Sequence, residues 1–181
     1  ARAMIEQTIQ HPHGLVLVTG PTGSGKSTTL YNSLATIADG RRNIITLEDP
    51  IEFRIEGLTQ MQIEPRKGFD FATGLRSILR QDPDVIMVGE VRDAETAKMA
   101  VDASMTGHLV FTTLHTIDSS TAIGRLNDLG VDPHQHAEAL LLIIAQRLVR
   151  LICRDCAEDL TVTREELEAM DEYHRYAIMP D

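Results

Sequence analysis

Short apolar runs recur along the chain, and between them apolar positions fall at helical spacing. Leu15-Val16-Leu17-Val18-Thr19 is brief, apolar and partly β-branched, as a buried strand is. Leu30, Leu34 and Ile37 then mark one face of a helix that stops near Asp39-Gly40. Asn43-Ile44-Ile45-Thr46-Leu47, Val85-Ile86-Met87-Val88 and the run from His108 to His115 predict further strands. Helices are predicted over residues 3–10, from Asp70 or Thr73 with Leu75, Ile78 and Leu79 inward, from Asp93 to Met105, and after Asp118 with Ile123, Leu126 and Leu129. Residues 53–63 alternate apolar and polar around Gly57, which predicts a β-hairpin laid over the main sheet. Asp132-Pro133 opens a last predicted core helix, nearly continuously apolar from Ala137 to Ala145 and therefore expected to be buried. Strands alternating with helices give an α/β fold with a mostly parallel central sheet flanked by helices.

Composition narrows the picture. A chain of 181 residues, 43% hydrophobic and 24% charged, accommodates one ordinary domain plus a small appendage. No apolar run approaches the length of a membrane span, and no secretory signal is visible. The start at Ala1-Arg2-Ala3-Met4 leads us to expect a fragment. A formal net charge of −10 argues against nucleic acid as the main partner, because nucleic-acid binding favours basic stripes. With only Cys153 and Cys156, a disulfide scaffold is implausible and a reducing compartment is the default.

The candidate chemistry centres on Gly20-Pro21-Thr22-Gly23-Ser24-Gly25-Lys26-Ser27-Thr28, which fits the P-loop pattern without a mismatch. Its glycines let the backbone form a nest of N–H groups around an anion. Lys26 supplies an ammonium for the phosphates, and Ser27 a hydroxyl for Mg²⁺, which prefers hard oxygen ligands. The flanking strand and helix are the context this motif requires; the bland alternative is a glycine-rich turn that binds nothing.

Two acids follow strand ends, where open α/β sheets bind ligands. Glu48 begins the acidic cluster Glu48-Asp49-Pro50-Ile51-Glu52, which read alone is equally a solvated turn. Glu90 follows the strand ending at Val88, in the manner of a Walker B acid beside Mg²⁺ or the attacking water. Gly89 stands where that motif usually has Asp, and is expected to let nucleotide or a Mg²⁺-bound water approach closely. His115 ends its strand on the side suited to a γ-phosphate sensor; His108, at the other end, is less well placed, and either is alternatively an ordinary core or surface histidine. Cys153-Arg154-Asp155-Cys156 is half a zinc site, with His174 a poorly spaced extra ligand, and a free thiol pair fits equally well. Thr163-Arg164-Glu165-Glu166 is a capping box for a final acidic helix.

Taken in order, GPTGSGKST, ITLEDPIE, LRQDPDVIMVGEVRD and TGHLVFTTLHT resemble the Walker A, Asp box, Walker B and His box of the ATPases of type II secretion and type IV pilus biogenesis. The resemblance covers residues from about 13 to about 156. It implies a RecA-like ATPase domain over residues 1–152 and the start of a C-x-x-C, zinc-type subdomain over 153–181. It implies ATP and Mg²⁺ as ligands, with zinc in a full-length protein carrying a second cysteine pair. It also implies a homo-hexamer in the bacterial cytoplasm, peripheral to the inner membrane through a platform protein and associated secretion or pilus components. Glu90 would activate water, Glu48 would assist catalysis or Mg²⁺ placement, and His115, with His108, would sense the γ-phosphate. Arg76, Arg80 and Arg92 would make contacts around the site. The rival readings are a DNA-translocating RecA-like ATPase, a regulatory nucleotide-binding module without turnover, and a zinc-stabilised interaction domain.

Overall fold

A computed structural model describes residues 2–158, 161 and 163–169. The elements run α1 (Arg2–Thr8), β1 (Gly14–Thr19), α2 (Lys26–Ile37), β2 (Ile44–Glu48), β3 (Thr59–Gln62), a 3₁₀ turn (Pro65–Lys67), α3 (Phe71–Ile78), β4 (Val85–Val88), α4 (Ala94–Met105), β5 (Leu109–Leu114), α5 (Ser119–Asp128), α6 (Pro133–Ala139), β6 (Leu140–Ala145) and α7 (Arg164–Ala169). The chain divides into a unit over Ala1–Leu148 and a second over Val149–Asp181. His174 and much of the expected 153–181 subdomain lie outside the described residues.

The six strands form one sheet in the order β3-β2-β4-β5-β1-β6, and every neighbouring pair is parallel. Parallel strands need both faces covered, and the sequence supplies this by making β1, β2, β4 and β5 apolar almost throughout. Alternate residues feed opposite layers. Leu15, Leu17, Ile45, Leu47, Ile86, Val88 and Val110 face α3, α4 and α5. Val16, Val18, Ile44, Val85, Met87 and Phe111 face α2 and the end of α1. Asp70, Asp93, Asp118 and Asp132 each accept a backbone N–H at the start of a helix, which fixes where α3, α4, α5 and α6 begin.

Three expectations are corrected. Residues 53–63 form no hairpin: only Thr59–Gln62 is a strand, and it extends the main sheet by pairing parallel to β2, with Ile45 opposite Thr59 and Glu48 opposite Gln62. The apolar stretch from Ala137 to Ala145 is not one helix. α6 ends at Ala139, and Leu140–Ala145 becomes β6, half-buried at the sheet edge beside β1. Pairing with the N–H and C=O groups of β1 outweighs the helix preference of a leucine-rich run. Ile123 is 39% exposed rather than inward; α5 packs through Ala122 and Leu126.

Candidate functional site: a nucleotide cleft at the strand ends

Because all strands point one way, the residues after β1, β2, β4 and β5 gather at one edge of the sheet. They line a cleft of ≈ 730 Å³ that includes Lys26, Ser27, Glu48, Glu90, Arg92 and His115. The cleft thus brings together, from four separate stretches, most of the residues singled out in the sequence.

The loop after β1 is shaped by its glycines. Gly20 has φ +143°, and a Cβ there would lie 2.2 Å from the carbonyl oxygen of Gln146. Gly25 has φ +87° and stands where a Cβ would meet Gln146 Nε2 at 2.9 Å. Gln146 therefore braces the loop: its N–H donates to Thr19 O at 2.9 Å, and its Oε1 accepts from Thr29 Oγ1 at 2.7 Å. Lys26 folds back so that Nζ donates to the carbonyls of Gly20 at 2.9 Å and Pro21 at 3.0 Å. Burial pulls the Lys26 ammonium below its ordinary value, and the charge of Glu90 opposes that.

The loop fits an anionic phosphate chain. No side chain caps α2, and its first residues, Lys26 and Ser27, line the cleft, so its positive end faces that space. Space around Gly23 is open, and the buried Ser24 Oγ has no partner among the described residues. Ser27, Glu90 and Asp49 line the same cleft, and their side chains carry hard oxygen donors of the kind Mg²⁺ takes. Zinc finds no comparable fit. Cys153 and Cys156 are exposed and unbridged, and no cluster of three metal-ligating side chains occurs among the described residues. The Asp155 N–H and the Cys156 thiol hold the Cys153 thiol below its usual range.

Glu90 lies two residues past β4 and carries a partner on each oxygen. Arg92 is ion-paired to Oε1, and His115 Nε2 meets Oε2 at 3.0 Å. The strands register this group. Thr113 Oγ1 donates to Gly89 O at 2.7 Å, and Val91 N–H donates to Thr113 O at 3.1 Å. Thr19 Oγ1 donates to Thr116 O at 2.6 Å, tying the residue after His115 to the end of β1.

Glu48 ends β2 and is 3% exposed. It accepts from the Tyr31 hydroxyl, from Thr46 Oγ1 at 2.6 Å and from Gln60 Nε2 at 2.9 Å. Burial, then the bond to Glu48, pushes the Tyr31 hydroxyl up to about 12. Gly89 lines the cleft, and a Cβ there would stand 3.0 Å from Leu47 O, so its smallness also lets the ends of β2 and β4 press together.

Other residues fall elsewhere. His108 precedes β5 at the far end of the sheet, its Nδ1 3.0 Å from Ala103 O, and does not border the cleft. Arg76 pairs with Glu95 on α4, and Arg80 is exposed; neither borders the cleft. Sequence reasoning missed Tyr31, Gln60 and Gln146. Tyr31 alone had a usable signal: it lies four residues past Ser27, on the same helix face as the phosphate-side residues.

A parallel sheet, a P-loop between β1 and α2, and acids after the neighbouring strands define the RecA-like P-loop NTPase fold. The chain belongs to the type II/IV secretion system protein family, whose model matches residues 1–177. It is 56% identical over 163 residues to the type II secretion system ATPase E of Vibrio cholerae, covering 90% of this chain and 32% of that protein. It is also 56% identical over 157 residues to the type II secretion system protein E of Pseudomonas aeruginosa, covering 87% of this chain and 31% of that one. The chain thus spans about a third of the length of the curated relatives it matches. Among solved structures, the pilus retraction motor PilT with bound ADP superposes with a TM-score of 0.63 at 44% identity, over 74% of this chain and 40% of that one. The Legionella pneumophila ATPase DotB gives a TM-score of 0.65 at 36% identity, over 75% and 41%.

Proposed function

We propose that this chain is the ATP-binding and hydrolysing core of a motor that powers type II secretion or pilus assembly. The observation that carries the reading is the convergence of Lys26, Ser27, Glu90 and His115 on one cleft, in a chain of this family. The ATPase and motor names of the relatives support it. In this reading Lys26 and the amino end of α2 neutralise the phosphates of ATP, and the loop backbone orients them. Glu90 orients the attacking water and takes its proton. His115 shares Glu90's second oxygen, so a terminal phosphate that attracts His115 also frees that oxygen for water. Ser27 would hold Mg²⁺, which when bound neutralises charge on the phosphate oxygens.

The working form is a homo-hexamer in the bacterial cytoplasm, docked on an inner-membrane platform protein, with no part for nucleic acid. No helix among the described residues is long and apolar enough to cross a membrane. In this reading membrane association runs through partners. The test is Glu90→Gln in the full-length protein. ATP binding is expected to survive while hydrolysis falls about a hundredfold or more. Retained hydrolysis would move water activation away from Glu90. A salt-dependent association with DNA in the same protein would favour the DNA-translocating reading instead.

A further inference from the structure

Gln146 directly follows β6, is half-buried and belongs to neither helix nor strand. It nevertheless meets every part of the phosphate-binding turn. Its N–H donates to Thr19 O, the last residue of β1. Its carbonyl oxygen packs against Gly20, where the loop begins, and its Nε2 against Gly25, where the loop ends. Its Oε1 accepts the Thr29 hydroxyl of α2 at 2.7 Å. A side chain larger than hydrogen at either glycine would collide with Gln146, so the close approach is built into the loop sequence.

Lys26 also ties the loop, through Gly20 O and Pro21 O. An ammonium has three donors, and two are already spent on those carbonyls. The same group must serve the phosphates, so its hold on the loop is shared with the ligand. The Gln146 ties are not shared. Neither Gln146 nor Thr29 lines the cleft, and a nucleotide there leaves their hydrogen bond intact.

We propose that Gln146 is a positioning residue for nucleotide binding, which clamps β1, the phosphate loop and α2 from outside the cleft and so holds the loop's N–H groups ready for the phosphates. The inference rests on the ATPase reading above. A loop already in its binding shape need not be ordered by the ligand, so the clamp acts on affinity. It touches no reacting atom and leaves the chemical step to the residues of the cleft.

The test is binding of ADP with Mg²⁺, KM and kcat for ATP, and thermal unfolding, all in the full-length protein. Gln146→Met keeps the side-chain length without the acceptor, and Thr29→Val keeps the shape without the hydroxyl. Each is expected to raise the ADP dissociation constant and the KM for ATP together, by about fivefold, with kcat within about twofold of wild type. Thr29→Ser, which retains the hydroxyl, should bind like wild type. The double variant should bind no more weakly than the worse single one, because both changes remove the same bond. Wild-type affinity in Gln146→Met and Thr29→Val overturns the proposal, whether or not their unfolding temperatures fall. So does a loss confined to kcat. If Gln146→Met does not fold, the two Thr29 variants give the same reading; if Thr29→Val does not fold either, the bond serves the fold and the proposal fails. The ATPase reading is judged separately, on the wild type: a protein that binds neither ADP nor ATP sinks that reading before any variant is compared.

Discussion

β2 and β4 lie side by side, and each delivers a glutamate to the same cleft. The partners of the two acids differ in kind. Around Glu48 they are neutral and buried: Tyr31 is 3% exposed, Thr46 0% and Gln60 9%. Around Glu90 they are Arg92 and His115, with side chains 64% and 55% exposed. Buried neutral donors fix a carboxylate and tie backbone segments together, because leaving any of them unserved is costly. Exposed partners hold a carboxylate loosely in energy, since solvent competes for them. Three buried donors thus fix the Glu48 carboxylate, whereas the partners of the Glu90 carboxylate are open to solvent.

The largest expected effect is on turnover. Glu90→Gln is expected to reduce turnover by about a hundred- to ten-thousandfold. Unfolding stability should fall by no more than about 1 kcal/mol, because Arg92 and His115 can turn to solvent although Glu90 is itself largely buried. Glu48→Ala should do the opposite to the fold. It strands three buried donors, and a loss of about 3 kcal/mol is expected in equilibrium urea unfolding. If Glu90→Ala destabilised the domain as much as Glu48→Ala does, the contrast would fail.

How much of this was readable beforehand follows the range of the interactions. The apolar runs that became β1, β2, β4 and β5, and the loop at Gly20–Thr28, are local patterns, and they stood out because burial on both faces leaves a continuous signature. The two edge strands did not. β3 reads Thr59-Gln60-Met61-Gln62, mostly polar, and only its pairing with β2 makes it a strand. β6 reads Leu140-Leu141-Leu142-Ile143-Ile144-Ala145, and nothing in six apolar residues tells a helix turn from a strand until β1 lies beside them. The acids at 48 and 90 were visible as strand ends. The difference between them was not, because Tyr31 and Gln60 are set beside Glu48 by helix packing and sheet order rather than by spacing.

A smaller effect sharpens the Glu90 side. His115→Ala removes the hydrogen bond to Oε2 but leaves Arg92 in place. Turnover is expected to fall about tenfold, the scale of one hydrogen bond to a charged group. Single-turnover hydrolysis with ATP in excess of its dissociation constant reads this directly. A loss as large as that of Glu90→Gln would make His115, rather than Glu90, the group that handles the proton.

The smallest effect belongs to Tyr31 and is visible in pH. Tyr31→Phe keeps the ring against Phe53 and leaves Thr46 and Gln60 on Glu48, so about 1 kcal/mol of stability should go at neutral pH. The hydroxyl is raised in the folded chain from 10.0 to about 12, first by burial and then by Glu48. The unfolded chain therefore releases this proton first as pH rises. The stabilisation is whole below about pH 10 and is lost between there and about pH 12. A rise of this size is worth about 2.7 kcal/mol, so the wild-type advantage over Tyr31→Phe in urea unfolding should vanish and then reverse across that window. Parallel curves would mean that the phenol is neither buried nor held against Glu48, and the buried half of the comparison would lose its tie to the phosphate-loop helix.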